Sequence, residues 1–217
     1  MIKRISLLAV VAFGMIQLGV MALVLEGSGM GRRSFLQFVA VAGVGLLPAP
    51  VMGVEGGGIR YGDDIIMSKK RHGTTDRPVQ EDLLYGVSNE LADRICSFNR
   101  MKSEKRGYFE TTNLEEVMRK APEETPITFY DSVTGKPLFR APQGRSVDEF
   151  LAESHDHRWP SFRDGEVIWE NVRVLRQSGE TVSVDGTHLG HNLPDKAGNR
   201  YCINLVSIAG HPVRGSM

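Results

Sequence analysis

Cysteine is almost absent from this chain, since Cys96 and Cys202 are the only two among 217 residues. Two cysteines are too few for the disulfide framework of a small secreted domain or for a zinc site built from cysteine thiolates. An excess of either charge is also absent, because 26 basic residues balance 26 acidic residues. No nucleic-acid partner is therefore expected, and small or peptide substrates fit better. Two cysteines can still form a redox pair.

The first 53 residues have the composition of a bipartite leader. Residues 5–25 are almost wholly apolar and follow two basic residues, as in a signal peptide or a spanning helix. Arg32 and Arg33 then lead into a second apolar run at residues 38–47, an order typical of a twin-arginine export signal. Two targeting signals in series predict an organellar protein, located in the thylakoid lumen of a plastid. The alternative is a secreted or membrane-anchored protein, and membrane contact is expected only through an uncleaved leader.

Two further segments precede the predicted catalytic domain. Residues 54–77 are rich in glycine and basic residues, which predicts a flexible linker. Residues 78–120 form a predicted helical extension. In it, apolar residues at spacings of three and four predict an amphipathic helix over 78–101, and Asn113 is expected to cap a shorter helix over 113–118.

After Pro126 the sequence changes to short β-branched or aromatic runs separated by Gly, Pro, Asn and Asp. The strands predicted from these runs lie at residues 127–130, 167–169, 172–175, 181–184 and 201–206. A short helix is predicted over 146–154. The fold class is therefore mainly β (α+β), with antiparallel sheets over residues 121–210 and one or two helices before them.

Four motifs in this region occur in a characteristic order: Gly135-Lys136-Pro137-Leu138-Phe139, Trp159-Pro160-Ser161-Phe162, His188-Leu189-Gly190-His191 and Arg200-Tyr201-Cys202-Ile203-Asn204. Their order and spacing over roughly residues 129–209 resemble the methionine-R-sulfoxide reductase B family. The combination is far more specific than any one motif. Taken singly, each motif has a purely structural explanation, such as a packed turn or an inert buried cysteine. The resemblance implies the antiparallel β-sheets of that family.

The chain also departs from the family that it resembles. Zinc-containing members carry two CxxC pairs, and the corresponding residues here are Asp131, Thr134, Val182 and Asp185. Valine cannot ligate a metal, and the other three do not make the thiolate-rich set of a structural zinc site. We therefore predict a zinc-free domain without a cofactor, whose stability comes from packing that can include the helical extension. Arg158 replaces the family's glycine, and the predicted loop at 154–158 lacks the resolving cysteine of many members.

The matched residues suit thiol-dependent reduction of a sulfoxide. Arg200 lies two residues before Cys202, hence on the same strand face, where its charge can lower the pKa of the attacking thiol. Asn204, two residues after it, can donate a hydrogen bond on that face. The resemblance implies that His191 is the proton donor and His188 a water- or substrate-positioning partner, although the sequence itself does not rank them.

Trp159 offers a flat apolar wall against which the substrate methyl group can pack, and Phe162 is expected to support it. Attack would release methionine and leave a sulfenic acid on Cys202, which condenses with a second thiol. Cys96 is the internal candidate for this resolving thiol, and a buried packing role is equally compatible with its helical setting. Otherwise an external reductant such as thioredoxin, glutaredoxin or glutathione is needed. The expected partners are this reductant and oxidised proteins or peptides.

Two other functions fit parts of the sequence. A catalytically degenerate module that binds oxidised methionine or a partner protein would explain the loss of zinc and of the usual resolving cysteine. A metal-binding module would use His155, His157, His188 and His191. Histidines spaced as HxH in a charged surface loop are usually solvated, which disfavours this second alternative.

Overall fold

The computed structural model describes residues 58–101, 103–122 and 125–213. The leader predicted for residues 1–53 lies outside these ranges, as do residues 54–57 of the predicted linker. Within the described ranges, no helix is both long enough and apolar enough to cross a membrane.

Two β-sheets and three α-helices organise the described chain, in agreement with the predicted mainly β (α+β) class. The larger sheet has the strand order β1-β5-β6-β7-β8-β4, and β2 and β3 form a separate antiparallel pair. Only the pairing of β1 with β5 is parallel within the larger sheet. The strands are β1 Tyr61–Gly62, β2 Ile127–Tyr130, β3 Pro137–Ala141, β4 Ser161–Phe162, β5 Val172–Leu175, β6 Glu180–Ser183, β7 His188–Asn192 and β8 Tyr201–Ile203. The helices are α1 Asn89–Phe98, α2 Leu114–Lys120 and α3 Val147–His157.

The helix predicted over residues 78–101 is shorter in the structure. It begins only at Asn89, where the hydroxyl of Ser88 accepts a hydrogen bond from the amide of Leu91. Tyr85 and Val87 precede this cap and pack into the core, although the chain there is irregular apart from a single 3-10 turn. The helix-like spacing of these apolar residues therefore predicts correctly that they are buried, but not that the chain is helical there.

Residues 58–77 are not the flexible linker that their composition predicts. They contribute β1, which extends the large sheet beside β5. Met67 packs against Leu175 and Val182 in a small apolar cluster, and the ammonium group of Lys70 donates to two backbone carbonyls within the same tract. The tract is thus an integral part of the domain.

Two strand predictions are also corrected. Of the strand predicted over 167–169, only Val167 pairs, in an isolated bridge with Phe139. The strand predicted over 201–206 ends at Ile203, because Leu205–Ser207 turn into a 3-10 helix. The sequence reading did not identify β7, whose two histidines obscure the usual apolar signal of a strand.

Helix α3 includes most of the predicted surface loop at 154–158. It begins with a capping box formed by Ser146 and Glu149 and continues to His157. Arg158 then ends it in a left-handed conformation with φ of 69°, which favours glycine. This is the position at which the resembled family has glycine. The arginine side chain forms an ion pair with Glu110, at 3.1 Å.

The centre of the core is an aromatic cluster between the β2–β3 pair, α3 and the large sheet. Phe162 stacks on Phe139 with ring centroids 4.3 Å apart and meets Phe129 and Phe150 edge to face. All four rings are fully buried. Edge-to-face and offset contacts of this kind are the favoured arrangements of aromatic pairs, so the cluster holds α3 and β4 firmly beside β8.

Candidate active site

Cys202 lies in a cleft that combines thiol, imidazole and apolar side chains. The cleft has a volume of about 240 Å³. Its walls consist of Met101, Ser103, Trp159, His188, Gly190, His191, Leu193, Cys202 and Asn204. All three downstream motifs of the sequence therefore contribute to one concave site, together with two residues of the N-terminal extension.

Strand β7 brings two histidines to this cleft although they are three residues apart. In a regular strand, residues separated by three face opposite sides of the sheet. The register of β6 against β7 shifts here, since Thr181 pairs with Gly190 and the next residue of β6 pairs with His188. Such a bulge redirects side chains, and it explains how both rings line the cleft, with centroids 5.6 Å apart.

Gly190 is required between the two histidines because β7 approaches β8 closely at this point. A Cβ atom built on Gly190 would lie 2.0 Å from the carbonyl oxygen of Cys202, well inside van der Waals contact. The next residue, His191, pairs directly with Cys202 across the two strands. Any side chain at position 190 would therefore separate the imidazole from the thiol.

The Cys202 thiol is partly buried and has two polar neighbours. The guanidinium of Arg200 contacts its Sγ atom, as predicted for residues on one strand face, and the Ser161 hydroxyl lies 4.0 Å away on β4. Burial raises the pKa of the thiol, and the charge of Arg200 and the contact with Ser161 offset only part of this effect. The predicted lowering by Arg200 is therefore present, but the pKa still lies above its ordinary value.

A chain of alternating charges, unnoticed in the sequence, holds Arg200 in place. Asp195 accepts hydrogen bonds at 3.0 Å from both Arg200 and Arg163. Arg163 also pairs with Glu153 on α3, and Glu153 pairs in turn with Arg145. Sequence spacing gave no sign of this network because its members come from α3 and three separate loops.

His188 and His191 have different electrostatic environments. The Nδ1 atom of His188 lies 2.7 Å from the carboxylate of Glu180, and both side chains are buried. Among the residues that the structure describes, no carboxylate pairs with His191, and burial together with the neighbouring His188 lowers its pKa. His191 is therefore mainly neutral at pH 7, whereas the ring of His188 is held against the carboxylate of Glu180.

The apolar side of the cleft is formed by Trp159, Leu193 and Met101. Phe162 does not contribute to it, contrary to the predicted substrate-binding role, because its ring is fully buried in the aromatic core. The strand alternation of β4 explains the difference, since Ser161 faces Cys202 and the next residue faces the core.

Asn204 lines the cleft but its amide is already engaged. Its nitrogen donates to the carbonyl of Leu189 at 3.0 Å, and its oxygen accepts from the amide of Glu104 at 3.0 Å. The predicted hydrogen bond to Cys202 is thus replaced by a link between β7, β8 and the N-terminal extension. Asn204 acts on the geometry of the site rather than directly on the thiol.

Glu104 continues this link and is a buried ionisable group next to the site. One carboxylate oxygen accepts from the amide of Val206 at 3.1 Å, while the other has no hydrogen-bond partner within the described part of the chain. Burial raises the pKa of this carboxyl to about 7. The group therefore holds a proton in the folded protein over a pH range in which it is ionised in the unfolded chain.

We expect Glu104 to make the protein less stable as the pH rises from about 4.5 to about 7. The folded state binds the extra proton in this window, so the free energy of unfolding should fall by up to about 1.4 kcal/mol per pH unit. Urea titrations of the full chain at pH 5, 6 and 7 measure this slope. Glu104→Gln, which mimics the protonated carboxyl, should flatten it, and an unchanged slope in that variant would contradict the assignment.

Cys96 lies on α1 with no exposure to solvent. Its Sγ atom contacts the carbonyl of Val206 and the hydroxyl of Ser207, at 3.9 and 3.6 Å. Burial raises the pKa of this thiol, and Cys96 is not part of the cleft wall. Both cysteines are free thiols. These surroundings correspond to the packing alternative for Cys96 rather than to an accessible resolving thiol.

The four residues predicted to correspond to zinc-ligating cysteines do not form a metal-binding set. Val182 belongs to β6, and the other three, Asp131, Thr134 and Asp185, lie in the loops that follow β2 and β6. Buried Asp131 accepts hydrogen bonds from Thr187 at 2.9 and 3.0 Å, and Asp185 pairs with Lys136 at 2.8 Å. Val182 is buried in the apolar cluster with Met67. Hydrogen bonds, an ion pair and apolar packing thus connect the loops here, and the residues present do not fit a zinc ion.

The four histidines of the alternative metal site do not come together. His155 pairs with Glu110 and Glu115 on the extension, away from the His188–His191 pair. Within the described ranges, the only close group of three ligating side chains is Glu153, His157 and Asp195, of which both carboxylates already pair with an arginine. The structure therefore gives no support to a four-histidine site.

The cleft as a whole can present a sulfur nucleophile to a small group held against an apolar wall. Its imidazoles can carry a proton to an atom that leaves the substrate, and Arg200 can stabilise the thiolate.

No protein-family model matches the sequence, and no solved structure matches the chain.

Proposed function

We propose that this chain is a thiol-dependent reductase of methionine-R-sulfoxide, related to the methionine-R-sulfoxide reductase B family and acting on oxidised peptides or proteins. One observation carries the proposal: Cys202, both histidines and Trp159 line a single cleft, and the guanidinium of Arg200 contacts the Cys202 thiol. A buried cysteine retained only for packing has no need of a guanidinium contact or of two imidazoles.

The reaction begins when the Cys202 thiolate attacks the sulfur atom of the sulfoxide. A histidine of the cleft protonates the sulfoxide oxygen, and methionine departs as the oxygen is transferred to Cys202 as a sulfenic acid. A thiol then attacks this sulfenic acid, releases water and forms a disulfide, which a second thiol reduces. Since burial raises the pKa of Cys202, the contact with Arg200 is needed to maintain a reactive thiolate fraction.

The walls of the cleft suit the two ends of this substrate. Trp159 and Leu193 contribute apolar surface against which the methyl group can pack, and His188 and His191 contribute polar groups to the same cleft. Leu193 is about half exposed (48%), so the mouth of the cleft is open to a side chain of a peptide. A methionine sulfoxide has the same division into an apolar methyl group and a polar oxygen.

An external thiol is the proposed reductant. Cys96 is fully buried, and burial raises the pKa of its thiol, so it is a poor nucleophile toward a sulfenic acid in the cleft. Thioredoxin, glutaredoxin or glutathione would attack Cys202 directly through the open mouth. Activity that persists in Cys96→Ala with a dithiol reductant would agree with this route.

The proposal is tested by incubating the full chain with peptides that contain each methionine sulfoxide epimer, with dithiothreitol or thioredoxin as reductant. We expect conversion of the R epimer and no conversion of the S epimer, and chromatography of the peptides measures both. A folded protein that turns over neither epimer would overturn the enzyme proposal. Saturable binding of the oxidised peptide in that case would favour the alternative, a degenerate module that recognises oxidised methionine.

A further inference from the structure

The N-terminal extension reaches the candidate site through the partly exposed side chain of Arg100, which contacts a buried carboxylate. Arg100, just after α1, donates two hydrogen bonds to one carboxylate oxygen of Glu180, at 2.7 and 2.9 Å. The other oxygen of Glu180 lies 2.7 Å from Nδ1 of His188. The side chains of Glu180 and His188 are only 3% and 2% exposed, so both contacts are largely shielded from solvent.

These contacts decide where His188 carries its proton. Burial alone would raise the pKa of Glu180, but hydrogen bonds from His188 and Arg100 outweigh it and keep the group ionised. An ionised carboxylate only accepts hydrogen bonds, so Nδ1 of His188 must carry a hydrogen. Nε2 is then the ring nitrogen left to serve the cleft, which His188 lines.

Arg100 is needed because Glu180 would otherwise be a nearly fully buried charge with one partner. A buried carboxylate that loses its cation recruits water, moves, or takes up a proton. Each of these changes would release the His188 ring from its orientation. Arg100 is itself anchored at its outer end by Asp64, at 2.9 Å, so the tract before α1 also contributes to the arrangement.

We propose that Arg100 and Glu180 are positioning residues that fix the His188 ring with its proton on Nδ1 and Nε2 available to the cleft. The extension thereby completes the site rather than only covering the β domain. The consequence for turnover rests on the proposed function, whereas the state of the ring does not. The role lies outside the four motifs, since neither Arg100 nor Glu180 belongs to them.

The state of the ring is tested by NMR on the full chain labelled with ¹⁵N-histidine, in which the two ring nitrogens of a neutral imidazole have distinct shifts. Signals are assigned by comparison with a His188→Gln variant. We expect neutral His188 to be protonated at Nδ1 only in the unsubstituted protein. Glu180→Gln, whose amide can donate as well as accept, should give a mixture of ring states. Protonation at Nε2 alone in the unsubstituted protein would overturn the proposal.

The effect on turnover is tested with Arg100→Met, Arg100→Lys and Arg119→Met. Arg100→Met should lower kcat by about ten- to a hundredfold, with a smaller change in KM, because loss of orientation acts on the chemical step. Arg100→Lys should recover most of kcat, since it restores the charge beside Glu180. Arg119→Met removes an exposed arginine that pairs with Asp148 and should leave kcat unchanged.

The NMR and turnover experiments distinguish failure of the positioning proposal from failure of the proposed function. A kcat in Arg100→Met within twofold of the unsubstituted protein would overturn the positioning role, and circular dichroism checks that the variant is folded. If the unsubstituted protein reduces no sulfoxide, the proposed function fails, but the NMR result on His188 still decides the positioning proposal. The NMR measurement is made on the unsubstituted chain, and the His188→Gln variant is needed to assign its signals.

Discussion

Replacement of Cys202 by serine is expected to abolish reduction of methionine-R-sulfoxide, with kcat/KM falling by at least about 10³-fold. A serine hydroxyl at neutral pH is a far weaker nucleophile than a thiolate and cannot accept the sulfoxide oxygen as a sulfenic acid. Because oxygen is smaller than sulfur, the serine side chain fits the partly buried site beside Arg200 and Ser161. Chromatography of the peptide product under saturating dithiothreitol measures the loss.

Cys96→Ala is the matched control, because it removes the chain's other thiol from a site that is fully buried on α1. We expect it to keep kcat within about twofold with dithiothreitol and with thioredoxin. The free energy of unfolding should fall modestly, since a small buried side chain loses contacts with Val206 and Ser207. Activity that survives in Cys202→Ser but disappears in Cys96→Ala would contradict the assigned nucleophile.

Replacement of Arg145 by methionine is expected to cost about 3–5 kcal/mol of folding free energy. Arg145 is the cation between two carboxylates, and the side chain of one of them, Glu166, is completely buried. It also donates to the carbonyl of Ser161, at 2.7 Å, the residue that faces Cys202. Methionine occupies similar space but removes the cation beside buried Glu166, which keeps the hydrogen bonds from the backbone amides of Gln143 and Arg163. Equilibrium denaturation in urea measures the change.

Two comparison variants identify the cause of this loss. Arg119→Met breaks an ion pair whose side chains are both more than half exposed and should cost no more than about 1 kcal/mol. The double variant Arg145→Met/Glu166→Leu removes the buried charge together with its partner and should regain part of the lost stability. Equal losses for Arg145→Met and Arg119→Met would show that the burial of Glu166 does not govern the effect.

Local signals in the sequence predicted several elements correctly. The short helix predicted over residues 146–154 is present as α3, and the predicted residue spacing of a strand places Arg200 and Cys202 on one face. Both patterns depend on neighbours within four residues, so they do not need the rest of the fold. The β-branched runs at 127–130 and 172–175 are strands for the same reason.

The errors occur where local patterns and tertiary contacts disagree. Composition predicted a linker over residues 54–77, yet pairing with β5 and burial of Met67 order its described part. Phe162 was assigned to the substrate site, but the pleat of β4 directs it into the aromatic core. Neither outcome could be inferred without knowing which strands become neighbours.

The sequence by itself determined the chemical groups of the site and their order along the chain: one cysteine with an arginine two residues before it, and two histidines separated by a leucine and a glycine. The tertiary structure alone decided which partners those groups have. Glu180, Arg100 and Asp195 reach the site from other elements. The physical reason is that hydrogen bonds and charge pairs act over a few ångströms in space, whereas sequence patterns report only residues close together along the chain.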